Sequence, residues 1–455
     1  MKSEDKYLLN GNIVAGLAKL AVPIVLSSFT QNIMNLVDIY WLGKISKDFV
    51  AAVSVSGIFF MLFTTLSVGV STGAVAVVSN LFAKGKMKDV NICSLDMAIF
   101  SFLLGFFGCI VGFLVAKGFF GLFGLSDSVL AGALEYTKVY LMGGWILLYN
   151  FLLIAVIRGM GDSLSSFKAI LIINLINFIF DPVFIYGFGI IPAMKAKGAA
   201  LATVLGHIFG FIYLTRIGMK KGILDWRKFA WKGRIVLAIV KIGLPASLRI
   251  GMRTVLNMII IFLVSGFGTA AIAAYGIGQK IIMTILIAGF SLGSAAATMV
   301  GQNLGAGKYE RAKKGIYWAA GIYMFLNLLV MLVFLMASRH IIYFFNKDSE
   351  VVNIGSAFLK ILSPVLIINA AGLVVSRAIG GAGDTLIPSL LNVLIMMCYQ
   401  VPAAYLLSKK TNLGITGIFI AEASALFFIS VATLIWFKTD KWLEQNAIKE
   451  IVFSD

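Results

Sequence analysis

Apolar residues run through this chain in long blocks separated by short polar turns. Twelve blocks can be counted, at 17–42, 49–82, 92–116, 130–157, 166–187, 197–218, 236–265, 271–303, 315–337, 351–376, 387–408 and 413–437. A helix needs roughly 20 apolar residues to cross the hydrocarbon core of a bilayer, and each block is near or beyond that length. The ten-residue alternation of a membrane β-barrel is not seen. The pattern predicts an all-α polytopic membrane protein with twelve transmembrane helices.

The blocks repeat. At a spacing of 222 residues Pro23 meets Pro245, Asn35 meets Asn257, Ala51 and Ala52 meet Ala273 and Ala274, and Val78 meets Val300. Gly85 and Lys86 meet Gly307 and Lys308, Lys138 meets Lys360, and Gly161-Asp162-Ser163 meets Gly383-Asp384-Thr385. Each copy has six spans, an even number, so both enter the membrane in the same sense. Two six-helix lobes related by a pseudo-twofold along the membrane normal are expected. The predicted organisation is an N-terminal lobe at 1–218, a basic linker at 219–234, a C-terminal lobe at 235–440 and a tail at 441–455.

Charge sharpens this picture. The 455 residues are 60% hydrophobic and 13% charged, well below the charge content of a soluble protein, and the net charge is +18. That surplus does not point to nucleic acid, because the lysines and arginines gather in short loops between spans. With the N-terminus inside, roughly 24 of them fall on the cytoplasmic side and about 9 outside. Both termini are therefore expected in the cytoplasm and the protein in the cell membrane. The linker MKKGILDWRKFAWKGR suits an anionic inner leaflet. No cleavable signal peptide is read at the N-terminus. Cys93, Cys109 and Cys398 lie in apolar stretches without paired spacing and read as core packing. His207, on an apolar helix, reads as a hydrogen-bonded structural residue.

Two acids break the apolar pattern. Asp38 lies in LSSFTQNIMNLVDIYWLG and Asp181 in FKAILIINLINFIFDPVFIYG. A carboxylate near the middle of a span costs roughly 2.5–3.5 kcal/mol on insertion scales and marks an ion, proton or substrate pathway. The duplication does not carry them: Asp38 pairs with Ile260, and Asp181 falls opposite an apolar residue. Asn174, Asn177 and Asp181 share one helix face, as do Asn35 and Asp38, with Gln31 a turn further back. Carboxylate and amide oxygens form a hard set that can hold H⁺ or Na⁺, with Na⁺ at Asp38, Asn177 and Asp181. Pro23 lies within the first span and Pro182 follows Asp181, and each allows a helix bend.

The second half carries Arg249 and Arg253 at the positions of Ser27 and Gln31, and Lys280 in the eighth span. They either make that half basic or pair with Glu422 and snorkel. Asp162 and Asp384, in glycine-rich turns, are expected to cap the next helices. No Walker loop, HExxH, catalytic triad or haem motif occurs, so neither an enzyme nor ATP drive has support, and no cofactor is expected beyond H⁺ or Na⁺.

In order and spacing, LAVPIVLSSFTQNIMNLVDIYWLG, IRGMGDS, INFIFDPVFIYG, GAALAT, GLPASL, GTAAIAAYGIGQK, VGQNLGAGKYERA and GGAGDT resemble the MATE (multidrug and toxic compound extrusion) transporters. The acids of the first and fifth spans look most like the DinF-like branch. The resemblance implies a cation site at Asp38, Asn177, Asp181 and Thr203. It implies two six-helix lobes around a central cleft, and export of organic, often cationic amphipathic compounds in exchange for H⁺ or Na⁺. Gln31, Asn35, Asn174 and Arg253 are the candidate cleft residues. Partners are small organic substrates and the lipid bilayer, with one chain sufficient. The alternative is a lipid-linked oligosaccharide flippase of the same superfamily, whose anionic cargo needs a basic cavity.

Overall fold

A computed structural model describes residues 7–444, so the tail expected at 441–455 lies outside the described residues beyond Glu444. The helices are α1 (Tyr7–Asn10), α2 (Ile13–Gly43), α3 (Lys47–Ala83), α4 (Met87–Gly121), α5 (Asp127–Met142), α6 (Gly144–Gly159), α7 (Ser163–Tyr186) and α8 (Lys195–Lys220). They continue as α9 (Gly233–Ser265), α10 (Thr269–Gly305), α11 (Tyr309–Phe345), α12 (Ser349–Gly380), α13 (Leu386–Ile395), α14 (Val401–Lys409) and α15 (Ile415–Lys438). Among the described residues eleven helices are long and apolar enough to span a membrane, or twelve with α5 and α6 counted as one bent span. The protein is a multi-pass helical membrane protein.

The fourth span is not straight. α5 and α6 meet at 54°. Gly143 and Gly144 stand at the break, the residue type at which helices kink without proline. A side chain at Gly143 would meet Val204 of α8 at 2.6 Å, so the bend also lets α8 approach closely. In the eleventh span, α13 runs into α14 through one π turn, Met396–Gln400, just before Pro402. Its missing N–H leaves a carbonyl of the preceding turn without its helical donor.

The chain divides into two compact units. Among the described residues, one is Val22–Gly243; the other takes 7–21 and 244–444. Both divisions fall inside a helix, directly before Pro23 in α2 and Pro245 in α9, which the duplication pairs. In the first unit, Gly73 and Gly243 let backbones touch: added Cβ atoms would strike the Ile239 and Gly69 carbonyls. Small residues are how helices pack closely where lipid removes the hydrophobic drive. The 219–234 segment is held to the start of α4. Asn91 bridges the Asp225 backbone, accepting from its N–H at 2.8 Å and donating to its carbonyl at 3.2 Å. Lys232 Nζ reaches Asp89 at 3.1 Å, and its N–H donates to the buried Asp96 at 3.3 Å. In the second unit, Asn303, Lys308 and Arg311 donate to the carbonyls of Leu8, Leu9 and Gly11. They satisfy acceptors that the short α1 leaves orphaned.

The duplication extends to backbone detail. Gly85 and Gly307 both have φ +73°, and Gly161 and Gly383 have +90° and +93°. Lys86 N–H donates to the Leu81 carbonyl and Lys308 N–H to the Asn303 carbonyl, the long bond of a Schellman cap. The paired aspartates differ. Asp162 caps α7 through Ser165 N–H and pairs with Lys221 at 2.8 Å. Burial alone would lift its carboxyl, but the bonds from Lys221 and Ser165 hold it below the ordinary value. Asp384 has no lysine; Trp436 Nε1 donates to it at 2.6 Å, and its carboxyl is raised by burial against that bond and the Ile387 N–H. Cys93 is buried as expected, while Cys398 is exposed and takes no part in a core. His207 receives the Asn150 amide at both ring and carbonyl, the structural role read for it.

A Cβ at Gly85 or at Gly57 would have no heavy atom within 4 Å, so alanine there tests backbone conformation alone. Gly85→Ala, in the left-handed region, should destabilise by about 1–2 kcal/mol. Gly57→Ala, inside α3, should stabilise by about 0.5–1 kcal/mol. Thermal unfolding of purified protein in detergent checks both signs.

Candidate cation-binding site

The site belongs to the unit Val22–Gly243. Asp38 stands near the end of α2 and Asp181 near the end of α7. The two ends are tied together a turn further on. Tyr186 Oη donates to the Trp41 carbonyl at 2.7 Å, and the Trp41 and Tyr186 rings meet edge to face at 6.0 Å. Leu42, Ile185 and Ala199 form a buried apolar cluster beside them. Asp38 lies four residues before Leu42 and Asp181 four before Ile185. On a helix that spacing stacks each acid on the face already in contact. The two carboxyl groups are consequently within hydrogen-bonding reach of each other.

Asp181 is 0% exposed. Asn177 Nδ2 donates to its Oδ1 at 3.0 Å. Its Oδ2, and Oδ1 of Asp38, are buried without a hydrogen-bond partner among the described residues. Two carboxyl groups in contact away from water repel if both are ionised and nothing lies between them. One proton shared between them, or one small cation, satisfies both open oxygens. Among the described residues no group of three or more His, Cys, Asp or Glu could hold a metal, which leaves a hard-oxygen pair with an amide beside it.

Of the other residues singled out in the sequence, Asn174 lies one turn back on α7, buried, with its amide nitrogen unpartnered. Thr203 is on α8. Side chains at Gly198 and Gly206 would strike the Phe184 and Ile173 carbonyls, which brackets Thr203 at the level of Asn177. Its hydroxyl donates to Ala199 at 3.0 Å, leaving lone pairs to accept. Gln31 and Asn35 are exposed on α2 and have no hydrogen-bond partner among the described residues. α2 runs on through Pro23, where Ser27 Oγ donates to the Pro23 carbonyl at 2.7 Å. Pro182 lies in the last turns of α7, which also continues as helix. Arg253 belongs to the other unit.

Sequence reasoning missed two tyrosines. Tyr136 of α5 is within electrostatic reach of both acids, and Tyr140 of Asp38. Their rings stack at 5.8 Å, and Tyr140 lies 4.2 Å from the Phe60 ring. Tyr140 also lines a small, mostly apolar pocket at the α5–α6 bend, together with Phe60, Phe63, Leu147 and Phe151. The available signal was the four-residue spacing of two tyrosines around Lys138 in an apolar span. Asp96 was also missed: 0% exposed, with Oδ1 unpartnered.

A multi-pass helical protein built from a duplicated six-span unit, with a carboxyl pair held within one copy, is a membrane transporter in class. The MatE family profile matches residues 23–183 and 245–406, its two segments beginning at the paired prolines, and the chain belongs to that family. It is 24% identical over 438 residues to the probable multidrug resistance protein YoeA of Bacillus subtilis, covering 94% of each chain. It is 25% identical over 449 residues to the probable multidrug resistance protein NorM of Thermotoga maritima, covering 96% of this chain and 95% of that one. A crystal structure of MATE in the straight conformation superposes with a TM-score of 0.89 at 21% identity, covering 99% of this chain and 100% of that one. An outward-facing multidrug resistance MATE transporter of the MOP superfamily gives 0.86 at 21% identity and the same coverage. The fold is that of these structures.

Asn177→Ala should cost about 1–3 kcal/mol, because it strips the amide donor from buried Asp181. Asn177→Ala combined with Asp181→Leu should recover part of the loss, since the acceptor that Asn177 served is then gone as well. A thermal-unfolding double-mutant cycle in detergent measures the coupling, and strictly additive losses would contradict it.

Proposed function

We propose that the chain is a cation-coupled antiporter that exports organic, cationic amphipathic compounds, a multidrug efflux transporter of the DinF-like kind working by alternating access. The observation that carries this reading is the carboxyl pair of Asp38 and Asp181, with two open, buried oxygens. The names of the relatives, probable multidrug resistance proteins, support the substrate class. H⁺ or Na⁺ is the coupling ion, held by Asp38 and Asp181 with Asn177, and with Thr203 as a further acceptor.

Coupling follows from competition. With one proton shared between the two carboxyls, the pair's single remaining negative charge attracts a substrate cation, whose apolar body suits aromatic walls such as Phe60, Phe63 and Phe151 beside Tyr140. Entry of the coupling ion cancels that charge and removes the attraction. One site cannot favour both occupants at once, so each flux drives the other. Gln31, Asn35 and Asn174 supply polar positions along α2 and α7 for the substrate. Pro23 lets α2 change shape when the charge at Asp38 changes. All these acidic and amide groups belong to one unit of one chain, which supports a working monomer. The cell membrane is its place, with both termini cytoplasmic, as the loop charges suggest.

Transport of a cationic dye into everted vesicles, under a pH or a Na⁺ gradient imposed one at a time, tests the reading. Asp38→Asn should fold normally and lose gradient-driven uptake by more than about tenfold. Asp181→Asn should do the same. Undiminished gradient-driven uptake by Asp38→Asn would remove the pair from the mechanism.

A further inference from the structure

The other unit holds charge of the opposite sign. Arg249 and Arg253 stand four residues apart on α9, and Arg377 lies near the end of α12. Arg249 Nη1 donates to Ser376 Oγ at 2.9 Å, beside Arg377 in sequence. Arg377 Nη1 reaches Ser294 Oγ at 3.4 Å, and its guanidinium lies over the Phe290 ring at 4.4 Å. Arg249 is within electrostatic reach of both other arginines.

The acid that faces this group is Glu422 of α15, within electrostatic reach of Arg253. Its oxygens are already engaged: Gln279 Nε2 donates to Oε1 at 2.7 Å and Tyr275 Oη to Oε2 at 3.2 Å. It forms no ion pair within 4.0 Å with any of the three arginines. Arg253 makes no hydrogen bond to any described residue. None of the three guanidinium groups has a nitrogen both buried and unpartnered, so their spare donors stay open to a ligand. Lys280 is exposed and forms no ion pair among the described residues.

Three guanidinium groups thus lie along one stretch of this unit, and the one carboxylate near them is within reach of Arg253 alone. Arginine does not deprotonate in proteins, so the surplus cannot be shed. Positive charge of this kind among apolar helices is expensive unless an anion or water compensates it. The fold does not require it either: the first copy has Ser27, Gln31 and Ala155 at the paired positions. Guanidinium groups offer forked donors that match carboxylate and phosphate oxygens two at a time.

We propose that Arg249, Arg253 and Arg377 form an oxyanion site, which takes the phosphate or carboxylate group of an amphipathic ligand, with Glu422 as the competing internal anion. The site lies in a different unit from Asp38 and Asp181 and does not depend on the exchange scheme there. A phosphate can come from a lipid headgroup or from a solute, and the test separates the two.

The full-length protein in neutral detergent is titrated with inorganic phosphate, dodecyl phosphate and dioctanoyl phosphatidylglycerol, reading intrinsic tryptophan fluorescence and the unfolding midpoint. Binding of at least one is expected. Phosphatidylglycerol alone binding identifies a lipid headgroup; dodecyl or inorganic phosphate binding as well or better identifies a solute. Arg253→Gln and Arg377→Gln should each weaken binding by about tenfold or more, while Arg253→Lys should retain part of it. Glu422→Gln should tighten it several-fold, a change that misfolding does not produce. No binding of any probe, wild-type affinity in the glutamine variants of the arginines, or weaker binding in Glu422→Gln would overturn the proposal.

Discussion

Everything in the first unit turns on two carboxyl groups held in contact inside apolar helices. Such a contact is unfavourable by itself and persists only if the surroundings fix it. Here the fixing elements are unrelated to charge. The Tyr186–Trp41 bond and the Leu42–Ile185–Ala199 cluster pin the end of α2 to α7. Gly198 and Gly206 bring α8 close against α7. Asn177 then engages one oxygen of Asp181 and leaves the facing oxygens open. Packing sets the distance, and the distance makes an ion or proton the missing part.

The duplication shows which features the membrane demands and which are free to diverge. Backbone groups have no water to fall back on, so both copies turn at the same left-handed glycines, and at Gly85 and Gly307 with the same long cap bond. Side-chain charge follows no such rule. Asp162 faces Lys221, whereas its counterpart Asp384 faces Trp436. The first copy carries Asp38 and Asp181 over apolar counterparts; the second carries Arg249, Arg253 and Arg377 over neutral ones. The fold is shared between the halves, while the polarity of their interiors is not.

Much of this was legible in the sequence, for identifiable reasons. Spans show as apolar runs because the bilayer fixes their length, and the repeat shows because its register runs unbroken through the first four spans. Asp38 and Asp181 stand out because a charge in such a run is rare. Their contact was not legible as a distance, since it depends on Tyr186 meeting a backbone carbonyl on α2, 145 residues away in the chain. Tyr136 and Tyr140 escaped notice because tyrosine is ordinary in an apolar helix, and only the fold brings them near the acids. The bend at Gly143 escaped because Gly-Gly does not interrupt the apolar pattern. Arg377 escaped because an arginine near a helix end is ordinary; only its neighbours, Ser294, Phe290 and Arg249, give it meaning.

A pair of acids does something that a single acid cannot. One isolated buried carboxyl is most stable with its proton on, and it then offers a substrate cation little. Two in contact share a first proton through a hydrogen bond and still present one net negative charge. A second proton, or a Na⁺ joining the first, abolishes it. The pair therefore passes through a state that is charged yet tolerable inside the membrane, and a single ion separates it from the neutral state. Asn177 engages Asp181 Oδ1, and in the proposed scheme this leaves the face shared with Asp38 to the proton or cation. In the proposed exchange, amide, tyrosines and acids confine the ion to one small region of α2, α5 and α7, and the helix that carries Pro23 is the one on which a change of one charge acts.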